Sequence, residues 1–374
     1  MKVLILSSST GGGHNAAAAA VTEACIQAGH EAVMLDVFSL ASENTAHRVG
    51  QCYVQLAKNM PYVFGCFYYV AKMISSSRRK SPVYYLNGLM AKKLGTYLST
   101  HSYDVIVMSH LFPMEIITFL KRRRRKLPLC IGVFTDYTCI PFIEETSCDY
   151  YILPHPDLTD ECIVRGIPSE KLIPLGIPVK SSFCKKIEQA EAKQKLHLPP
   201  DKPMYLIISG SMGFGKTYLF VFELIKGLQN EEQVVIICGS NNHLKNTLQL
   251  QFSNHGNIHI VGYTDHVADF MAACDVIYTK PGGLTSTEAL DMNIPIVHTA
   301  PIPGCENKNR DFFVTRGMSI AANRTQKQIK LGRMLIENRE VRNAMLSAQR
   351  KNAKPMAAKM LVEFLEEKLR ERNL

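Results

Sequence analysis

Twice in this sequence a strand-like apolar run empties into a glycine-rich loop that opens a helical pattern, at residues 6–14 and again at 208–216. A strand, a tight glycine turn and a helix N-terminus bring bare backbone N–H groups and the positive end of a helix dipole to one point. Doubly wound α/β domains hold phosphates in this way. Two such openings in 374 residues predict two such domains, since one core rarely grows that large. In the first half, residues 3–7, 31–36, 104–109 and 129–134 read as buried strands, each followed by helical spacing. A polar stretch from 180 to 203 interrupts the alternation, which restarts at 204–209, 233–238, 257–261, 275–278 and 294–298. The expected division is residues 1–180, residues 181–355, and a last helix over 356–374 packing back on the first domain. In that helix Met356, Met360, Leu361, Phe364, Leu365 and Leu369 recur at helical spacing after Pro355.

Several classes of protein are excluded early. With 46% apolar and 20% charged residues the chain is neither disordered nor fibrous. No uncharged stretch approaches the roughly 20 apolar residues of a membrane span. The four apolar residues after Lys2 fall short of a signal peptide, so they read as a first strand. The eleven cysteines, odd in number and without a Cys-x-x-Cys pair, argue for reduced thiols in the cytoplasm and against a zinc site. The net charge of +10 is local: residues 48–126 hold fourteen Lys and Arg against only Asp104 and Glu115. A surface that meets anions is expected there.

The second glycine loop fits the phosphate-loop pattern G-x-x-x-x-G-K-[ST], from Gly210 and Ser211 through Gly213 and Gly215 to Lys216 and Thr217. A triphosphatase also needs a magnesium-holding acid at a strand end. The candidate strands end at Cys238, Val261, Tyr278 and His298, so the loop reads as a general phosphate cradle. A sharper constellation begins at Lys280, where Pro281, Gly282 and Gly283 turn the chain and Thr285 and Ser286 open a helix. Glu288, one turn in, suits the vicinal hydroxyls of a ribose. The same spacing would equally make it the capping-box partner of Thr285. The run 303–309 that follows, with Glu306 and Asn309, is rich in groups that bind sugar hydroxyls or start a solvated helix.

Taken in order, Gly11, Gly12, Gly13 and His14, the hinge 176–179, the loop 210–215 and the run 282–288 resemble the monogalactosyldiacylglycerol synthase and processive diacylglycerol glucosyltransferase family over nearly the whole chain. The resemblance implies the GT-B fold, two Rossmann-like domains facing across a cleft, with an N-terminal acceptor-binding domain and a C-terminal domain that grips a UDP-sugar. It implies an inverting hexosyl transfer without a metal or other cofactor, the UDP-sugar being a co-substrate. It also implies that His14 is the base, that Glu288 holds the ribose, and that the 303–309 run holds the sugar. Cys305, Asn307 and Lys308 depart from the family's Pro-Gly-Gln-Glu-Glu-Gly-Asn, which leaves the identity of the sugar open. The motif is similar as well to that of undecaprenyl-linked N-acetylglucosaminyltransferases. A small-molecule acceptor, a triphosphatase and a nonenzymatic basic binding protein are the remaining readings.

The chemistry of the residues agrees with that family. Inverting transfer needs a general base at the acceptor hydroxyl and stabilisation of a departing diphosphate. His14 follows Gly12 and Gly13 at a helix start, where the dipole disfavours an imidazolium and suits a base that begins neutral. Asp136, at another strand end, can orient His14, contact the acceptor, or simply form a turn. In the basic segment Tyr62, Phe64, Phe67, Tyr68 and Tyr69 lie near Arg78, Arg79 and Lys80, with a second cluster from Arg122, Arg123, Arg124 and Arg125 to Lys126. Aromatics flanked by cations predict a peripheral enzyme on the anionic inner face of the cell membrane. No nucleic-acid-reading motif accompanies them.

Overall fold

The computed structural model describes residues 1–8, 12–42, 44, 51, 55–56, 60–209, 217–229 and 232–373, the side chains of 61, 64 and 373 excepted. The sequence-identified Gly210, Ser211, Gly213 and Gly215, and the side chain of Phe64, lie outside these residues. The chain divides into two compact units, Met1–Ser181 with Pro303–Cys305 and Lys354–Leu374, and Ser182–Ile302 with Glu306–Ala353.

The first unit alternates β1 (Lys2–Ser7), α1 (Gly12–Gln27), β2 (Glu31–Asp36), α2 (Pro61–Ile74), α3 (Pro82–Gly88), α4 (Ala91–Thr100), β3 (Val105–Met108), α5 (Leu111–Arg122), β4 (Leu129–Val133), β5 (Tyr150–Ile152), α6 (Thr159–Val164) and β6 (Leu172–Ile173). Its strands pair in the order β2-β1-β3-β4-β5-β6, every pair parallel. The sequence Val-Ile-Val-Met of β3 is buried throughout, as a parallel strand covered on both faces must be.

The second unit repeats the plan with α7 (Gln189–Lys195), β7 (Met204–Ile208), α8 (Thr217–Lys226), β8 (Gln233–Ile237), α9 (Asn242–Phe252), β9 (Ile258–Val261), α10 (Val267–Ala273), β10 (Val276–Thr279), α11 (Gly283–Asp291), β11 (Ile296–His298), α12 (Cys305–Thr315), β12 (Ile320–Ala321), α13 (Thr325–Glu337) and α14 (Arg339–Asn352). Its sheet runs β12-β11-β10-β7-β8-β9, again parallel. In each sheet the order reverses beside the first strand, between β1 and β3 and between β7 and β10. Ligands of open parallel sheets bind outside the carboxyl ends at such a point. This is the α/β architecture expected from the two glycine loops.

The last helix, α15 (Ala357–Asn373), belongs to the first unit. Its Leu361, Val362 and Leu365 are buried in one cluster with Val3, Ile5, Ala18 and Val21. Three such side chains contribute roughly 5 to 9 kcal/mol of transfer free energy at about 1.5 to 3 kcal/mol each. The return of the chain depends on Gly176. This residue has φ +106, and a Cβ there would stand 2.6 Å from that of Lys354.

A buried carboxyl lies in the same unit. Glu115, on α5, is 0% exposed and accepts a hydrogen bond from Asn87 Nδ2. Burial pushes its carboxyl up to about 9, with Glu145 adding to the effect. The folded protein therefore holds a proton that the unfolded chain releases above its ordinary value of 4.5. This contribution to stability is complete below that value and is lost as pH rises towards about 9. Glu115→Gln should flatten the decline in melting temperature over that range, and superimposable wild-type and variant curves would refute the assignment.

Candidate active site

At the switch point of the first sheet, three strand ends converge. His14 is in the first turn of α1 after β1, Ser109 and His110 follow β3, and Thr135 and Asp136 follow β4. All five line one cavity. The Nδ1 of His14 lies 3.0 Å from the carbonyl oxygen of Ser109 and 2.9 Å from Thr135 Oγ1. His110 stands edge-on to His14 at 4.4 Å, and its Nδ1 accepts the Phe112 N–H at 3.1 Å, capping α5. Burial, with the His14 ring adding to it, pushes the His110 imidazole well below its ordinary range. His110 therefore stays neutral beside any charge that forms on His14. Below this layer the hydroxyl of Ser109 donates to Ser7 Oγ, and that of Ser7 donates to Asn15 Oδ1 at 2.6 Å, tying β1, β3 and α1 together.

In the second unit the loop after β10 is braced from within. Lys280 Nζ donates to Glu306 Oε1 at 2.5 Å, Ile302 N–H donates to Glu306 Oε2 at 2.7 Å, and Asn309 Nδ2 donates to the Pro281 carbonyl at 3.0 Å. Asn309 is 0% exposed. Its side chain holds the turn. Ser286 is turned inward by helical periodicity. Its hydroxyl lies 3.0 Å from His298 Nε2, while Ser319 Oγ lies 3.0 Å from Nδ1 of the same ring. Burial lowers His298 to about 3, so the ring is neutral, one hydroxyl donating to it and the other accepting.

Gly282 is the N-cap of α11 and Gly283 its first residue. Thr285 thus sits inside the first turn, and Glu288 is not in the position of a capping-box partner. A Cβ at Gly282 would meet Glu306 and Lys280 only at ordinary contact distances of 3.8 and 3.9 Å, so internal packing does not require the glycine. The described strands of this sheet run into Ser209, Cys238, Gly262, Lys280, Thr299 and Ala322, and no acid follows any of them. The magnesium-holding group of a triphosphatase is missing from those positions.

Residues 14–179 match the family model of monogalactosyldiacylglycerol (MGDG) synthase, and residues 188–352 that of the group 1 glycosyl transferases. The two matched domains mark the chain as a glycosyltransferase. The processive diacylglycerol beta-glucosyltransferase of Bacillus subtilis is 28% identical over 359 residues, 95% of this chain and 91% of that one. Its namesake from Staphylococcus carnosus is 33% identical over 241 residues, which take in 64% of this chain and 61% of that relative. Among solved structures, Acinetobacter baumannii MurG superposes with a TM-score of 0.64 at 15% identity, covering 98% of this chain and 99% of that one. Staphylococcus aureus MnaA, solved with UDP, superposes at 0.65 and 14% identity, covering 99% and 97%. These likenesses establish the GT-B fold.

Among the described residues of this glycosyltransferase, no helix is long and apolar enough to cross a membrane. Helix α2 nevertheless exposes Tyr62, Val63, Phe67, Tyr69, Val70 and Met73, and further on Tyr85, Leu86 and Leu89 are exposed as well. Arg78 and Arg79, between α2 and α3, are exposed, as are Arg122, Arg123, Arg124 and Arg125. Two of the expected groups differ. Tyr68 is half-buried, and Lys80 donates to the Glu145 carbonyl, its ammonium pushed below its ordinary range by burial. Arg125 donates to the Gly95 carbonyl at 2.9 Å, and Arg123 lies 4.5 Å over the Phe119 ring. Sequence reasoning assigned no role to Ser109, Thr135, His110 or Lys280. The available signal was position alone, each following a buried strand.

Proposed function

We propose that this glycosyltransferase moves a hexose from a UDP-sugar to diacylglycerol or a glycosyldiacylglycerol, with inversion, at the inner face of the cell membrane. The observation that carries the reading is the Ser109 carbonyl on His14 Nδ1. A carbonyl only accepts, so Nδ1 bears the hydrogen and Nε2 is the basic nitrogen of the site. His14 takes the proton of the acceptor hydroxyl as the sugar's anomeric carbon is attacked. The diphosphate leaves toward the α11 N-terminus, where Gly282 and Gly283 allow close approach, Thr285 can donate, and the dipole and Lys280 offset the developing charge. Glu288 accepts from the ribose hydroxyls. In this reading no resident metal is required, and Asp136 contacts the acceptor across the cavity it shares with His14.

The diacylglycerol glucosyltransferase relatives and the apolar, cation-flanked face of α2 support a lipid acceptor. The protein should sediment with vesicles of diacylglycerol and anionic lipid, be released by added salt, and transfer label from UDP-glucose or UDP-galactose to lipid. Replacing Arg78, Arg79 and Arg124 by Gln should weaken sedimentation by about 1 kcal/mol per cation while sparing activity on detergent-solubilised acceptor. Transfer only from UDP-N-acetylglucosamine to an undecaprenyl-linked acceptor would replace the diacylglycerol reading. Equal sedimentation with neutral vesicles at low and high salt would remove the membrane surface.

A further inference from the structure

We infer that Thr135 is a positioning residue for His14, holding its ring and answering the charge that it takes on during transfer. The inference rests on His14 being the base. In the step concerned, the acceptor O–H bond breaks and its proton passes to His14 Nε2. The oxygen's electron pair forms the bond to the anomeric carbon, and the bond from that carbon to the diphosphate breaks with its pair.

The geometry gives Thr135 this role more directly than it gives any carboxylate. Nδ1–H is shared between two oxygens, the Ser109 carbonyl at 3.0 Å and Thr135 Oγ1 at 2.9 Å. When Nε2 is protonated, positive charge spreads to Nδ1–H, and hydrogen bonds from a charged donor are shorter and stronger than neutral ones. Both oxygens then stabilise the imidazolium without moving, which is the advantage of a preorganised site. The Ser109 oxygen is backbone and cannot be removed by substitution, so Thr135 is the adjustable half of the pair. Thr135 is itself held in place, being 9% exposed at the end of β4. Among the described residues lining the cavity, the titratable groups beside His14 are His110, edge-on at 4.4 Å and kept neutral by burial, and Asp136, from the same loop as Thr135. His110 cannot share the charge, because its own Nδ1 accepts the Phe112 N–H.

The experiment uses the full chain with labelled UDP-sugar and lipid acceptor, and compares Thr135→Val, Thr135→Ser and each in combination with His14→Ala. Thr135→Val, close to isosteric, should lower kcat about tenfold and leave the donor KM unchanged. It should also move the acid limb of the kcat profile down by about one pH unit, since the imidazolium loses a partner and the base becomes weaker. Thr135→Ser should restore both. Nitrogen-15 NMR of the His14 ring should show the same downward shift with no substrate present, so the test does not depend on turnover. An unmoved titration and profile in Thr135→Val, a serine variant as slow as valine, or an equal loss from Thr135→Val in the His14→Ala background would overturn the inference. His14→Ala at full turnover would refute the base and this inference with it. An inactive His14→Ala beside a fully active Thr135→Val would refute the positioning role alone.

Discussion

His14→Ala should lower turnover by about 10²- to 10⁴-fold, the usual contribution of a general base, and leave UDP affinity unchanged. The separation is expected because His14 belongs to the first unit, whereas the glycine turn and Glu288 belong to the second. His14 is half-buried at the start of α1, and the layer beneath it, from Ser109 through Ser7 to Asn15, does not include its ring. The fold should therefore survive. Single-turnover kinetics with saturating donor isolate the chemical step. A normal rate there would place the base elsewhere, with Asp136, on the same cavity, the next candidate.

Glu288→Ala should weaken UDP-sugar binding by roughly 1.5 to 3 kcal/mol, the range for hydrogen bonds to a charged group, or about 10- to 150-fold in Kd. The helix begins at Gly283, so the alternative role of this carboxylate as a capping-box partner of Thr285 is not available. Loss of the side chain should spare α11, whose inward face is fixed by Ser286 against His298 and by Thr287 Oγ1 donating to the Gly283 carbonyl at 2.7 Å. Calorimetry with UDP checks the expectation. An unchanged Kd would remove Glu288 from the nucleotide site.

Long buried strands were visible in the sequence because each is a run of Val, Ile and Leu ended by a turn. The expected 3–7 and 129–134 became Lys2–Ser7 and Leu129–Val133, whereas 31–36, expected to be buried, is the edge strand Glu31–Asp36, none of whose residues is buried, because it has a neighbour on one side only. Tyr150–Ile152, Leu172–Ile173 and Ile320–Ala321 passed unnoticed, since two or three residues carry no periodicity and exist only through pairing with a neighbouring strand. The site divides along a similar line. His14 was legible because its glycine loop is local, but its partner is a backbone carbonyl 95 residues away, and a carbonyl has no letter in a sequence. Ser286 and Asn309 looked like ligand groups from their types. Which way each faces was decided by helix phase against His298 and Pro281, and the local letters do not contain that phase.

The docking of α15 on β1 and α1 has a consequence for how the chain can be divided. Met1–Ser181 and Lys354–Leu374 both belong to the first unit, so in chain terms nearly all of the second, from Ser182 to Ala353, is an insert within it. The second unit can be excised as one almost continuous segment, but the first cannot, because part of its core is encoded after the insert. Removal of the last helix would uncover Val3, Ile5, Ala18 and Val21, beneath the strand that leads to His14. In chain order α15 follows the second unit, so the first unit, although begun first, is completed only after the second has been synthesised. Any truncated or fused version of this chain must keep Lys354–Leu374 together with the first unit.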